Sequence, residues 1–436
     1  MGIEIDTSFQ STSVQTGLLL GRDRSNGQLL RYFGNAHILT FAPPGSGKFT
    51  NSLGPNLASY PGSILCVDPK GQCACVSAVA RRELGQTVHI INPFRLFEDQ
   101  LGPSASYNPL DWLLEDDETL TDNAIMLADS LVVDSGSQKE DHWNEQAKTL
   151  IFGIILHVCT SSEFQVRRNL ITARELLQGN EEQFKELLFE MSENLSAGGE
   201  IARIANQMAG TPTNERGSIV SSANRHLRFL ASESLQSCMR SSSFDMSALK
   251  AEPFFTVYLV IPARYITSHN RWLRLMVTVA MLSATNESIR PPKIPVVWML
   301  DELAQLGHLK VVADGFGLLR GFGFRIWGVF QDLPQLNEIY GERGKSMISS
   351  SVIQGFNINC LETSKFFAGL AGSAVTAGFS ADGPTIKPVI REDEIRALAG
   401  DSVLVKIPNE KLFTCKKLVS WQDPEFKEKL AEDPYQ

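Results

Sequence analysis

The sequence predicts an α/β protein with a parallel or mixed central sheet that is interrupted by an all-α inserted domain. Short apolar runs alternate with helical segments near both ends of the chain, as in "HILTFA", "GSILCVDPKG" and "QTVHIINPF". Between about Asp111 and Lys250, helix formers predominate and β-branched runs are scarce. Buried parallel strands separated by helices are typical of doubly wound sheets. We therefore expect one α/β domain in two parts, residues 1–110 and 251–436, around a helical domain of residues 111–250.

The strand pattern returns in the second half of the chain. The runs expected to form strands are "PFFTVYLVIP", "KIPVVWML", "GFRIWGVF", "GFNINCLE" and "DSVLVKIP". Asp68, Asp301 and Gln331 directly follow or end three of the apolar runs. Because open α/β sheets bind ligands at the carboxyl ends of their strands, we expect these polar side chains to share one edge of the sheet.

Composition excludes some classes of protein. The 436 residues carry a formal net charge of −9. This balance argues against a protein that coats DNA with a wholly basic surface, although a local basic track is compatible with it. The longest apolar run, residues 149–159, is shorter than the roughly 20 residues that span a bilayer, so the chain as given is expected to be soluble.

The seven cysteines are odd in number and scattered, as in a cytoplasmic protein with reduced thiols. Cys73 and Cys75 form a close pair. Without a second pair or a nearby histidine, they fit thiols at the start of a helix better than a metal site.

The stretch "APPGSGKFT" resembles a phosphate-binding loop, G-x-x-x-x-G-K-[ST], placed between a strand and a helix. Its glycines allow backbone N–H groups to converge on phosphates at a helix N-terminus, and its lysine supplies a cation for the terminal phosphates. Phe49 stands where a hydroxyl would coordinate Mg²⁺, and Thr50 is one residue late for that role. A plain glycine-rich turn is the alternative. The candidate nucleotide-binding residues of the loop are Pro44, Gly45, Ser46, Gly47, Lys48, Phe49 and Thr50.

The run "VVWMLDE" ends in the acidic pair that is typical of a Walker B strand. Asp301 is the candidate Mg²⁺ ligand, with Thr50 as a second one, and Glu302 is the candidate catalytic residue that activates the attacking water. An ordinary acidic pair at a strand end is the alternative. Gln331, at the end of the next strand, can orient water or sense the γ-phosphate. Loop, acidic pair and glutamine follow one another in the order expected of a RecA-like motor.

Arg320 lies between Glu302 and Gln331, after a predicted helix and before a predicted strand. An arginine there can act as a catalytic finger on the phosphates of a neighbouring subunit, which requires the protein to work as a ring. A solvated arginine at a helix end is the alternative.

Two further segments, "RHLRFL" and "RWLRLM", interleave basic residues with aromatic ones. They fit ordinary helix faces better than DNA contacts.

Together these residues resemble the type IV secretion coupling proteins, the TraG/TraD type of conjugation ATPase. The similar segments are "GLLLGR", "LLRYFGNAHILTFAPPGSGK", "PNLASYPGSILCVDPKG", "GQTVHIINPF", "SASYNPLDWL", "MLDELAQLGHL", "WGVFQDLPQLNEIYG" and "WQDPEFK". They follow in order over nearly the whole chain. The resemblance implies a RecA-like P-loop nucleotide-binding domain interrupted by an all-α domain, with ATP and Mg²⁺ as cofactors.

The resemblance also implies roles for single residues. The matching positions are Lys48 for the Walker A lysine, Asp301 and Glu302 for the Walker B pair, Gln331 for the strand-end glutamine, Arg320 for the arginine finger, and Asp68 and Lys70 for a D-P-K-G turn close to the nucleotide. The implied assembly is a homo-hexamer at the cytoplasmic face of the bacterial inner membrane, with a monomer as the alternative for the isolated chain. The ring would recruit single-stranded DNA with its relaxase, or protein effectors, and deliver them to components of the type IV secretion channel.

The chain departs from the family at several points. Phe49 replaces a glycine or serine, and Gln72 replaces the glutamate of D-P-K-G-E. Most members begin with two transmembrane helices, so we expect membrane association through helices missing from this chain or through partners. Two functions therefore stay open: an ATP-driven motor for substrate transfer, and a degenerate nucleotide-binding scaffold that docks secretion substrates without significant turnover.

Overall fold

Most of the described strands belong to one mixed β-sheet. The computed structural model describes residues 16–114, 118–132, 138–252, 254–376 and 385–435. Within these residues, the strands are β1 (Leu18–Arg22), β2 (Leu29–Tyr32), β3 (His37–Phe41), β4 (Ile64–Asp68), β5 (Thr87–Ile91), β6 (Phe255–Val260), β7 (Val296–Leu300), β8 (Phe324–Phe330), β9 (Ser351–Phe356), β10 (Ser373–Thr376), β11 (Thr385–Pro388), β12 (Ser402–Lys406) and β13 (Phe413–Lys416). Eleven of the described strands form one sheet in the order β2-β1-β13-β12-β9-β3-β8-β7-β4-β6-β5, and β10 pairs with β11 separately.

The parallel part of the sheet includes the neighbouring strands β9, β3, β8, β7 and β4. Every residue of β3, β4, β7 and β8 is buried, as expected for parallel strands that are covered on both faces. Antiparallel pairing adds β12, β13, β1 and β2 beyond β9. The prediction of an α/β fold with a parallel or mixed sheet is confirmed.

Helices precede and follow the strands along the chain. They are α1 (Gly54–Ser59), α2 (Gln72–Glu83), α3 (Glu98–Leu101), α4 (Pro109–Leu113), α5 (Leu120–Leu131), α6 (Gln138–Thr160), α7 (Leu170–Leu177), α8 (Glu181–Glu193), α9 (Glu200–Gly210), α10 (Thr213–Leu227), α11 (Glu233–Met239), α12 (Ala248–Ala251), α13 (Ile266–Ala284), α14 (Lys310–Leu318), α15 (Leu333–Tyr340), α16 (Glu342–Ser349), α17 (Leu361–Ala371) and α18 (Glu392–Arg396). Between β5 and β6 the described residues contain helices and no strand, as the sequence predicts for a helical insertion.

The described residues group into two compact units. The first contains those up to Val88, the segment Leu249–Leu259 and those from Ala284 onward, and it carries most of the sheet. The second contains His89–Ala248 and Val260–Ser283, and it is mainly helical.

This grouping differs from the predicted domain limits at 110/111 and 250/251. Most of α13 falls in the helical unit because its Arg271 and Arg274 make polar contacts with His226 and Ser130 of that unit. The domain limits themselves stay a prediction.

The prediction of a strand over "GFNINCLE" is wrong, because the strand lies earlier in the chain. β9 covers Ser351–Phe356 and ends near the beginning of that run. Asn357 has a φ of 45°, in the left-handed region, which breaks the extended backbone. The rest of the run leads into α17, which begins at Leu361.

Within the described ranges, the helices are all too short or too polar to cross a membrane. The seven cysteines are free, and six of them are buried. Cys73 and Cys75 lie in the first turn of α2, as expected for thiols at the start of a helix.

Candidate functional site

The glycine-rich loop follows β3 at the carboxyl edge of the parallel strands. Gly45 and Gly47 have φ angles of 74° and 79°, in the left-handed region that favours glycine. A β-carbon on Gly47 would collide with the side-chain amide of Asn51. The Ala42 N–H donates to the Phe330 carbonyl of β8 at 2.9 Å, which fixes the start of the loop to the sheet.

The chain after the loop begins with a π-helical turn, Phe49–Leu53, which continues into α1. The Gly54 N–H donates to the Phe49 carbonyl, so this turn contains one residue more than an α-helical turn. Thr50 Oγ1 donates to the Gly47 carbonyl at 3.0 Å, and Phe49 and Thr50 are each 8% exposed. The Thr50 hydroxyl, which lies one position after that of the usual Mg²⁺-binding hydroxyl, is therefore hydrogen-bonded to the loop itself.

Lys48 joins the loop to the acidic pair after β7. Its Nζ lies 2.7 Å from Asp301 Oδ1 and donates a hydrogen bond to Glu302 Oε1 at 2.8 Å. The side chains of Lys48, Asp301 and Glu302 are 18%, 16% and 22% exposed, which reduces screening of the ion pairs by water. The structure thus brings together the loop lysine and both acidic residues, although 254 positions separate Lys48 from Glu302.

The protonation of these groups depends on their burial. Burial raises the pKa of Asp301, and the positive charge of Lys48 opposes that rise. Burial also opposes the charge of Lys48, but Asp301 and Glu302 outweigh it and raise the pKa of the lysine. Two carboxylates beside one ammonium leave a net negative charge when all three are ionised, which suits a divalent cation.

Glu302 has an unusual backbone conformation. Its φ of 57° and ψ of 44° are left-handed, and it precedes the short 3₁₀ turn Leu303–Leu306. For a residue with a side chain this conformation is strained, and such strain clusters at functional positions.

Asp68 ends β4 and caps the next helix. Its Oδ2 accepts from the Ala74 N–H at 2.8 Å, and its Oδ1 accepts from the Lys70 N–H at 3.4 Å. Burial raises the pKa of Asp68 to about 6. Its carboxylate is therefore used, in this structure, to hold the N-terminus of α2.

Lys70 lies close enough to Asp301 for its charge to lower the pKa of that carboxyl, after the larger effects of burial and Lys48. The Lys70 carbonyl accepts a hydrogen bond from the Tyr435 hydroxyl at 2.9 Å. A residue near the end of the chain thus supports the D-P-K-G turn.

Gln331 follows β8, the strand between β3 and β7. Phe330 pairs with Phe41 at the end of β3, so Gln331 leaves the sheet at the same edge as the loop. Its N–H donates to Gln335 Oε1 at 2.8 Å. The topology therefore places Gln331 between the loop and the acidic pair.

Arg320 lies at the other end of β8. It belongs to the 3₁₀ turn Leu319–Phe322 before the strand, and it is exposed. Burial, assisted by the charge of Arg320, lowers the pKa of His37, the first residue of β3, to about 4. Because the loop follows the opposite end of β3, the structure does not bring Arg320 together with Lys48 within one chain.

Lys417 and Ser420, which follow β13, form hydrogen bonds with the phosphate loop and the turn after it. No sequence pattern predicts these contacts. Lys417 Nζ donates to the Ser46 carbonyl and to Asn357 Oδ1, both at 2.9 Å. The Ser420 N–H donates to the Thr50 carbonyl at 3.1 Å. The one signal in "KKLVSW" is a lysine beside apolar residues, which indicates a need for partners but not which partners.

Some buried polar atoms near Lys48 lack a hydrogen-bond partner. They include the hydroxyl of Ser46 and the side-chain oxygen of Asn51. Nearly all such atoms in folded proteins are satisfied by protein, water or ligand. The Ser46 hydroxyl is therefore a donor available to an anion. Among the described residues, no group of three or more His, Cys, Asp or Glu side chains could hold a metal ion.

A parallel sheet with a glycine-rich loop after one strand, and an acidic pair after another that binds the loop lysine, defines a P-loop fold of the RecA-like class. The chain belongs to the family described as Type IV secretory system Conjugative DNA transfer, whose model matches residues 7–435. The expected type IV coupling protein family is confirmed.

The relatives agree with this assignment. The type IV secretion system-coupling protein VirD4 of Bartonella quintana (strain Toulouse) is 26% identical over 344 residues, which cover 76% of this chain and 52% of VirD4. The chain spans about half the length of the curated relatives it matches.

Solved structures show the same fold. The bacterial conjugative coupling protein TrwBdeltaN70, in its unbound monoclinic form, has a TM-score of 0.73 at 15% identity, covering 94% of this chain and 89% of that one. The plasmid coupling protein TrwB in complex with ADP and Mg²⁺ has a TM-score of 0.68 at 17% identity, covering 90% of this chain and 88% of that one. These likenesses confirm a RecA-like α/β fold with a helical insertion.

Proposed function

We propose that this chain is an ATP-binding and ATP-hydrolysing ring subunit of a type IV secretion or conjugation coupling protein. The observation that carries the proposal is the contact of Lys48 with Asp301 and Glu302, beside a loop with two left-handed glycines. The ring recruits single-stranded DNA with its relaxase, or protein effectors, and delivers them to components of the secretion channel. Membership of a family for conjugative DNA transfer supports this role.

The loop fits a triphosphate. Left-handed glycines allow backbone N–H groups to approach phosphate oxygens, as in other anion sites at helix N-termini. The Ser46 hydroxyl is a buried donor without a partner. The Lys48 ammonium contacts two carboxylates, and phosphate oxygens would compete with them for it. TrwB, whose fold is similar, has been solved with ADP and Mg²⁺ and with the ATP analogue ADPNP.

The acidic pair fits Mg²⁺. This ion is usually held by one or two carboxylates together with phosphate oxygens and water, so Asp301 suffices as a protein ligand. Thr50 Oγ1 donates to Gly47 and accepts from Asn51, which leaves one lone pair for a cation. When bound, MgATP supplies the phosphoryl bond whose hydrolysis drives transfer.

The chain provides groups for hydrolysis at the same edge of the sheet. Glu302 accepts the proton of the attacking water, and Gln331 orients that water from the neighbouring strand end. Lys70 adds positive charge near Asp301, and Asp68 holds the helix that follows the D-P-K-G turn.

We propose further that Arg320 acts on the site of a neighbouring copy in a homo-hexamer. Its exposed side chain at the opposite edge of the sheet supports action between copies rather than within one chain. The proposed location is the cytoplasmic face of the bacterial inner membrane. The proposed domains are residues 1–110 with 251–436 for the nucleotide and 111–250 for the helical insertion.

Measurement of Mg²⁺-dependent ATP hydrolysis, with and without single-stranded DNA, tests the proposal. Glu302→Gln should reduce turnover by about 100-fold or more, because general-base catalysis contributes at least that much. Lys48→Ala should have a comparable effect through lost phosphate binding. The matched control is Lys345→Ala, which removes an exposed lysine paired with Glu342 and should leave turnover unchanged.

Equal rates in the wild type and in the Lys48 and Glu302 variants would refute hydrolysis at this site. The assay should cover a range of protein concentrations, because an arginine that acts between copies contributes only in the assembly. Turnover per subunit should therefore rise with concentration, and Arg320→Ala should remove that rise.

The degenerate scaffold is the second candidate, and Phe49 favours it. A buried phenyl ring occupies the position of the usual Mg²⁺-binding hydroxyl. A fluorescent ATP analogue that binds without turnover, followed by turnover gained in Phe49→Ser but not in Phe49→Ala, would support the scaffold. Turnover in the wild type that Lys48→Ala abolishes would rule it out.

A further inference from the structure

Three arginines meet in the helical second unit. Arg225 lies near the end of α10, Arg228 begins the turn that follows it, and Arg271 lies in α13. They belong to the segments "RHLRFL" and "RWLRLM", for which the sequence favours ordinary helix faces. The structure brings the two segments together, with Arg271 Nη2 3.4 Å from Nδ1 of His226.

A buried amide holds this arrangement in place. Asn144 of α6 is fully buried, and its side-chain oxygen is the shared acceptor of three groups. Ser222 Oγ donates at 3.2 Å, Arg225 Nη2 at 3.0 Å and His226 Nε2 at 2.9 Å. Burial, followed by the charges of Arg271 and Arg225, lowers the pKa of His226 to about 3. The imidazole is therefore neutral, and the charge of the site comes from the guanidinium groups.

The three arginines form no ion pair with any acidic side chain that the structure describes, a set that leaves out residues 138–141 of α6. The nearby Lys148, by contrast, is paired with Asp129 and Glu145.

Arg271 is the arginine of the cluster on which the effects of burial and of the neighbouring positive charges are seen. It is half-buried, and its Nε has no hydrogen-bond partner. Burial lowers its pKa, and the charges of Arg225 and Arg228 lower it further. Like charges that are held together in this way repel each other until an anion neutralises them.

We propose that Arg225, Arg228 and Arg271 form a binding site for the phosphodiester groups of single-stranded DNA, an inference that rests on the proposed role in substrate transfer. Guanidinium groups match phosphate oxygens in charge and in paired hydrogen bonds. The neutral His226 and the buried Asn144 are positioning residues that fix the direction of Arg225 and Arg271.

The aromatic residues of the two segments do not take part. Phe229 is 5% exposed and Trp272 is fully buried, so neither ring is available to stack on a base. The site therefore contacts the DNA backbone without reading its sequence, and its affinity depends on salt. A conjugative DNA transfer family favours a nucleic acid over an acidic protein surface as the ligand.

Binding of a fluorescein-labelled oligothymidylate to the 436-residue chain tests this inference by fluorescence anisotropy across salt concentrations. Each phosphate contact to a single strand contributes about 0.7 to the slope of log affinity against log salt. The triple variant Arg225→Gln, Arg228→Gln, Arg271→Gln should therefore lower the slope by about 2. Arg228→Gln alone should lower it by about 0.7. This single variant removes no hydrogen bond found among the described residues, so it should fold normally.

The matched control is Arg203→Gln, in the same unit, whose arginine is exposed and already paired with Glu200. It should bind DNA like the wild type. Unchanged affinity and slope in the Arg228→Gln and triple variants would overturn the inference. So would unchanged DNA binding combined with altered sedimentation, since the cluster would then be a contact between copies of the chain.

Nucleotide binding separates this inference from the proposed function. All cluster variants should bind a fluorescent ATP analogue as the wild type does. If the wild type binds the analogue but no oligothymidylate, the DNA site is refuted while the nucleotide site stands.

Discussion

Replacing Lys417 with methionine should weaken both the fold around the phosphate loop and the binding of nucleotide. Lys417 is buried, and its ammonium donates to the Ser46 carbonyl within the loop and to Asn357 Oδ1 after β9. Methionine keeps most of the apolar stem but removes both hydrogen bonds. The loop then loses the contact that fixes one of its carbonyl groups.

The size of the effect follows from these two bonds. Hydrogen bonds to charged groups contribute about 1.5–3 kcal/mol each, so the pair is worth about 3–6 kcal/mol. Burial of the ammonium lowers the pKa of Lys417 and offsets part of this gain. We therefore expect a loss of about 2–3 kcal/mol in the free energy of unfolding. If half of it reflects preorganisation of the loop, affinity for an ATP analogue falls about tenfold.

Urea unfolding gives the stability, and titration with a fluorescent ATP analogue gives the affinity. Lys416→Met is the matched control, because Lys416 is the adjacent residue and is exposed. It should change neither quantity by much. A Lys417→Met protein of reduced stability but unchanged affinity would refute the claim that Lys417 prepares the loop for nucleotide. Unchanged stability would show that the two hydrogen bonds of Lys417 make no net contribution to the free energy of unfolding.

Two further predictions concern the first unit. Burial raises the pKa of Asp68 from 3.8 to about 6, so the stability that its protonated form contributes is lost as pH rises through that window. Asp68→Asn keeps one oxygen to accept from the Ala74 N–H but cannot titrate, so it should remove this pH dependence in urea unfolding. A constant difference from the wild type across this pH range would show that Asp68 does not titrate with a raised pKa. Arg81 is fully buried and donates to the carbonyls of Leu57, Tyr60 and Gly62, so Arg81→Met should destabilise the fold by about 3 kcal/mol or more. The control is Arg82→Met, because Arg82 is the adjacent residue and is exposed. Equal melting temperatures for the two variants would show that the Arg81 guanidinium is dispensable.

The parts of the fold that the sequence predicts are those with strong local patterns. β3, β4 and β7 are short buried runs followed by motif residues, and parallel strands necessarily bring their carboxyl ends to one edge. This is why Lys48 and the acidic pair after β7 could be expected to meet. Helix formers without strand runs likewise predict the insertion between β5 and β6.

The parts that the sequence does not predict depend on long-range contacts or on small backbone shifts. Lys417 reaches the Ser46 carbonyl across 371 positions, and no local pattern encodes such a partner. The π-helical turn at Phe49–Leu53 differs from an α-helical turn by one residue in its hydrogen bond, which periodicity does not resolve. The expected strand in "GFNINCLE" fails because a single left-handed residue, Asn357, ends β9.

Arg320 and the phosphate loop lie at opposite edges of the sheet in every copy of the chain, and Arg320 is exposed. Copies that join loop to arginine must do so head to tail, since a two-fold pairing would need both groups on one face. In a ring built this way, every catalytic centre would contain the phosphate loop of one chain and Arg320 of the next. Among assemblies that mix wild-type chains with Arg320→Ala chains, a defective copy would then silence its neighbour's loop and leave its own loop active.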